Sequence, residues 1–117
     1  MKNAKKSRRT EDRTVFLLRC GDLWAVEQRP QTGLLAGLWQ FPNVDGTLTD
    51  TEALALAEQW GVRPRELEKL SDRVHIFTHI RWNLRGVYLQ CAAMPDRFCW
   101  KKPETVALPT AFRQFAE

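Results

Sequence analysis

Two runs with strand-like alternation, Glu68–Phe77 and Ile80–Leu89, meet across only two intervening residues, and that junction constrains the fold more than any other feature. In the second run Ile80, Trp82 and Leu84 alternate with Arg81, Asn83 and Arg85, the period of a strand with one buried face. Strands joined so tightly must be antiparallel neighbours, with the junction at a hairpin tip. That junction, Val74-His75-Ile76-Phe77-Thr78-His79-Ile80, holds both histidines of the chain, with an aromatic ring and a hydroxyl between them. In an extended segment positions 75, 77 and 79 share one face, and 74, 76, 78 and 80 the other. Such a tip suits stacking on a flat base and hydrogen-bonding its edge. The plainer alternative is a strand whose histidines satisfy backbone groups.

The remaining segments place that hairpin in a larger sheet. Thr14–Cys20 and Leu23–Gln28 are β-rich and flank Gly21-Asp22, which predicts a second hairpin. Residues 29–33 read as a loop, and Leu34–Phe41 as an apolar core strand ended by Pro42. Thr49 followed three residues later by Glu52 is a capping box, opening a helix over Asp50–Trp60 that Gly61 closes. Pro64–Leu70 reads as a connection containing a helical turn, and Gly86 as the site of a bulge. Phe98 and Trp100 line a short strand in the otherwise irregular segment 94–102. Thr110 is expected to cap a C-terminal helix through Phe112 and Phe115. The order of elements is α+β: a mixed sheet flanked by helices.

Charge divides the chain in two. Residues 1–13 hold six Lys/Arg against two acids, a net +4, while the remainder is balanced at zero. The basic segment predicts a linker or a phosphate-contacting arm, and the neutral body predicts weak nucleic-acid binding by itself. At 117 residues the chain is expected to form one domain without metal or disulfide staples. Cys20, Cys91 and Cys99 are odd in number and lack CxxC spacing, which predicts reduced thiols and no metal ligation. No apolar run is long enough to span a bilayer, so no membrane partner is expected.

Three segments carry a resemblance to a known family. Arg29-Pro30-Gln31-Thr32-Gly33-Leu34-Leu35-Ala36-Gly37-Leu38-Trp39-Gln40-Phe41-Pro42 resembles the RP-x-x-GLLAGLW-x-FP block in the C-terminal domain of MutY-type adenine DNA glycosylases. His75-Ile76-Phe77-Thr78-His79 is similar to that domain's H-x-F-[S/T]-H loop, and Ala107-Leu108-Pro109 with its aromatic helix to the closing segment. The resemblance implies a Nudix-like α/β/α sandwich over residues 14–117 behind a basic linker, 1–13, with the helix-hairpin-helix catalytic domain lying outside this chain. It further implies recognition of 8-oxoguanine opposite the adenine to be excised, with duplex DNA and the catalytic domain as partners. A monomer is expected, cytoplasmic and nucleoid-associated if bacterial. The family's iron–sulfur cluster belongs to the catalytic domain, so no cofactor and no catalytic residue are expected here.

The lesion makes a definite chemical demand. Guanine offers N7 as an acceptor on its major-groove edge. Oxidation converts N7 to an N–H donor and adds a carbonyl oxygen at C8. A reader must therefore put an acceptor at N7, and a threonine hydroxyl can serve. The resemblance points to Thr78 for that contact, with Phe77 as an apolar prop and His79 as an orienting or phosphate-contacting group. His75 is expected to fix the loop, and Arg81 and Arg85 are candidates for DNA-backbone contacts.

The rival reading is a Nudix pyrophosphohydrolase or a nucleotide-binding module derived from one. That chemistry needs clustered carboxylates on one helical face to hold Mg²⁺. Counting back from Gly61, the three positions are Ala55, Glu58 and Gln59, of which one is acidic, and no Gly-Gly follows Phe41-Pro42. The sequence therefore favours recognition over hydrolysis.

Overall fold

Strand β1 (Arg9–Cys20) lies parallel to a strand from the second half of the chain, β6 (Ile80–Cys91), with Arg9 opposite Ile80 and Arg19 opposite Gln90. The computed structural model describes residues 9–117, and in these the two strands form the centre of a seven-stranded sheet. β2 (Leu23–Gln28) and β5 (Pro64–Ile76) flank them, both antiparallel to their neighbours. The short strands β3 (Trp39–Gln40), β4 (Asn43–Asp45) and β7 (Cys99–Lys101) pair with β2, β1 and β2 respectively. Helix α1 (Asp50–Trp60) covers one face, and the single-turn α2 (Thr110–Arg113) the other.

Because both faces are covered, the central strands are apolar on both sides. Val15 and Leu17 point to the α2 side, where they join Trp82, Leu84, Tyr88, Phe112 and Phe115. Phe16 and Leu18 point the other way, to Ala53 and Ala57 of α1 and to Val87 and Leu89. The small alanines let α1 sit close on the sheet, and Trp60 meets Phe16 edge-on at 4.8 Å. The capping box is formed as expected: Thr49 Oγ1 accepts from the Glu52 N–H, and Glu52 reaches back to the Thr49 N–H. Gly61, at φ 86°, ends the helix in the left-handed conformation that glycine adopts without steric cost.

Several sequence expectations are corrected. Residues 1–8 of the basic segment lie outside the described residues, but Arg9–Arg13 belong to β1, whose pairing with β6 overrides their polar composition. Leu34–Phe41 is not one strand: residues 34–37 form a turn, and only Trp39–Gln40 pair with β2. Pro64–Leu70 is neither a connection nor helical: the strand expected from Glu68 starts earlier, at Pro64, as the edge strand β5. Thr110 is the first residue of α2, after Pro109, and does not cap it with its side chain; Phe115 lies beyond the helix end. Gly86 marks no bulge. Pairing runs through it without a shift, whereas a Cβ there would stand 2.6 Å from Cε1 of Phe115. Glycine is needed for that close approach; the sheet's irregularities fall instead in β5, between Pro64 and Glu66 and between Leu67 and Lys69.

Candidate nucleic-acid interface

The β5–β6 hairpin turns over Thr78 and His79, closed by a bond from the Phe77 N–H to the Ile80 carbonyl at 2.7 Å. Neither turn residue has a positive φ, so a β-branched threonine fits without strain. Thr78 and His79 are exposed, and His75 and Phe77 are half-buried. The start of β1 docks here as well, with the Arg9 N–H donating to the His79 carbonyl at 3.1 Å. Strict alternation does not pass through the turn. Ile80 faces the same side as His75 and Phe77, because the turn places it across from Phe77.

An aromatic chain supports this tip from below. The Phe77 ring stands edge-on to His75 at 4.7 Å and to Trp82 at 5.0 Å, and Trp82 in turn meets Phe112 of α2 at 5.8 Å. Such T-shaped arrangements are the favoured geometry of aromatic pairs. Trp82 is 1% exposed, and its indole N–H donates to Glu11 Oε1 at 3.1 Å. The guanidinium carbons of Arg13 and Arg29 lie 5.7 and 5.6 Å from its ring centroid, within cation–π range. Phe77 is thus a packed prop, with its ring in the core margin, and Thr78 is carried on a braced turn.

Beside the tip, Leu34, Ile76, Phe77, Thr78, His79 and Ile80 surround an open depression of about 480 Å³. Leu34 comes from the 29–38 loop, so the two sequence blocks that carry the resemblance, distant along the chain, line one concavity. Arg29 crosses the inside of that loop. Its Nε donates to the Leu34 carbonyl at 2.9 Å and its Nη1 to Gln40 Oε1 at 2.6 Å, while its N–H bonds the Leu38 carbonyl at 2.8 Å. Gln40 is in turn held by Glu27 and Asn43. Burial lowers the pKa of Arg29 and the neighbouring Arg13 charge lowers it further, with Glu27 opposing. Leu34 and Arg29 were not singled out from the sequence; the motif block contained them, but their contact with the tip is long-range.

The other predicted contacts divide. Arg81 is exposed next to the tip, its Nε donating to Asn83 Oδ1 at 3.1 Å. Arg85 is not brought to the tip: further along β6, it pairs with Asp50 at the start of α1 at 2.9 Å. On α1 itself Ala55, Glu58 and Gln59 all point to solvent, and Glu52 is taken up by the cap. The side chains of Ala55 and Gln59 supply no carboxylate, so these positions do not fit Mg²⁺. Among the described residues no group of three or more His, Cys, Asp or Glu side chains could hold a metal, and no helix is long and apolar enough to cross a membrane.

Residues 14–117 match the NUDIX domain. The chain belongs to that family. Within it, this NUDIX domain is 36% identical to adenine DNA glycosylase of Rattus norvegicus, over 80% of this chain and 21% of the relative. It is 32% identical to adenine DNA glycosylase of Homo sapiens, over 94% of this chain and 23% of the relative. The chain therefore spans about a fifth of the length of these relatives. Among solved structures, the C-terminal domain of mouse MUTYH in complex with human PCNA superposes with a TM-score of 0.67 at 27% identity, over 91% of this chain and 84% of that one. A MutT protein from Methanosarcina mazei Go1 superposes at 0.61 with 13% identity, over 95% and 93% of the two chains, which shows a shared fold.

Proposed function

We propose that this NUDIX domain is the lesion-reading module of an adenine DNA glycosylase and recognises 8-oxoguanine paired with adenine in duplex DNA. The observation that carries the reading is the exposed Thr78 on a turn braced from Phe77 through Trp82 to α2, beside the concavity that Leu34 completes. The names of the relatives and the MUTYH C-terminal domain neighbour support it.

The Thr78 hydroxyl accepts the N7 proton that oxidation creates while its own proton is donated elsewhere; guanine has no proton at N7 to offer that lone pair. His79 and Arg81 border the contact with groups able to donate to phosphate or to the C8 oxygen. The neutral body supplies discrimination, and the catalytic part of the protein, where the family's iron–sulfur cluster would reside, supplies most of the affinity and the excision chemistry. Hydrolysis of a nucleoside pyrophosphate is the less favoured reading, since the helix that would hold Mg²⁺ carries Ala55 and Gln59.

The test is the ratio of affinities for duplexes holding 8-oxoguanine:adenine and guanine:adenine, measured on the whole glycosylase. Thr78→Val keeps the shape and loses the acceptor; it should cut the ratio by about tenfold, the low end of one edge contact's worth. Thr78→Ser should retain the ratio. An unchanged ratio in Thr78→Val would remove Thr78 from the role.

A further inference from the structure

The loop 29–38 carries a sign of constraint that the lesion contact does not use. Leu35 sits at φ 56°, a left-handed conformation that a branched aliphatic residue adopts only when its surroundings enforce it. The turn is closed by backbone bonds from the Leu38 N–H to the Leu35 carbonyl at 3.2 Å and from the Gly37 N–H to the Pro30 carbonyl at 2.8 Å, and Arg29 Nε adds a side-chain bond to the carbonyl of Leu34. The same guanidinium holds Gln40 through Nη1 and lies over the Trp82 ring, on which Phe77 is propped. One half-buried cation therefore touches one wall of the concavity and the ring that supports the other. It bonds the backbone of Leu34 on one side and seats against the support of the Phe77–His79 turn on the other.

We propose that Arg29 is a positioning residue that fixes the separation between Leu34 and the Phe77-Thr78-His79 turn, and so sets how closely a purine edge can approach Thr78. The inference rests on the lesion-reading role of Thr78. A lysine cannot replace this function. Its ammonium is a point charge able to sit over Trp82, but it lacks the planar fork that reaches Leu34 and Gln40 together. Released, Leu35 relaxes out of its left-handed conformation and Leu34 moves from the turn. The hydroxyl of Thr78 is then present but no longer confined to the distance at which 8-oxoguanine and guanine differ most.

The test is a double-mutant cycle of Arg29→Lys and Thr78→Val in the whole glycosylase, read as the affinity ratio for 8-oxoguanine:adenine over guanine:adenine duplexes, with thermal midpoints recorded for all four proteins. Leu34→Ala, which leaves Arg29 intact and removes the wall alone, is the second variant in case Arg29→Lys fails to fold. Arg29→Lys and Leu34→Ala should each lower the ratio about fivefold, and should lower it much less once Thr78 is valine, because contacting residues couple. A ratio that stays unchanged in both, or losses that simply multiply with that of Thr78→Val, would overturn the positioning role while leaving Thr78 as the reader. If Thr78→Val by itself leaves the ratio unaltered, the reading fails and the positioning role falls with it.

Discussion

Helix α1 and the β5–β6 tip lie on the same sheet and use their polar residues in opposite ways. Around α1 they are engaged in holding the helix: Thr49 and Glu52 close the cap, and Asp50 takes up Arg85. Where hydrolase chemistry would need carboxylates, the helix has Ala55 and Gln59. At the tip the packing is done by aromatic rings below the turn, so Thr78 and His79 project into solvent. A fold usually associated with one chemistry can lose it and keep the scaffold, because stability and function rest on different residues.

The comparison is tested most severely at Trp82, which belongs to both tasks. Trp82→Ala should cost about 3–5 kcal/mol, the usual loss for a large buried aromatic, seen as a lower urea midpoint. It should also erase the preference for lesion duplexes, since Phe77 loses its support. Gly86→Ala comes next. The new methyl meets Phe115, so about 1–3 kcal/mol should be lost, with partial recovery when Phe115→Leu makes room. Lesion preference should survive, because the clash lies away from the turn. Thr78→Val should change the folding stability by no more than about 0.5 kcal/mol, as expected for an exposed turn position, even though it removes the proposed contact itself. A large stability loss there would mean the tip is structural.

How far each region could be read from sequence follows from how local its determinants are. α1 was legible to its caps, because Thr49, Glu52 and Gly61 act within a turn of the residues they serve. The tip was legible because two alternating runs met with no room for anything but a hairpin. Leu34–Phe41 misled because its apolar content suits a strand equally well. Gly33 and Gly37 at positive φ, with the Arg29 bond to Leu34, curl it into a loop instead. The start of β5 was hidden for the converse reason. Pro64, Arg65 and Glu66, ahead of the run read as a strand, have little strand character alone, and pairing with β6 decides the matter. Arg29 shows the same limit at the site: its partner Trp82 is distant in sequence, and nothing local marks the contact.

The central claim, that discrimination resides in the tip and its neighbouring loop while α1 is scaffold, is tested most directly by backbone amide chemical shifts. Spectra of the isotopically labelled chain would be recorded with 8-oxoguanine:adenine and guanine:adenine duplexes of otherwise identical sequence. Subtracting one set of perturbations from the other removes contacts common to both duplexes. The account predicts that the remaining differences cluster at Leu34 and Phe77–Ile80 and are absent from Asp50–Trp60. Differences centred on α1 and Arg85, with the tip silent, would contradict it.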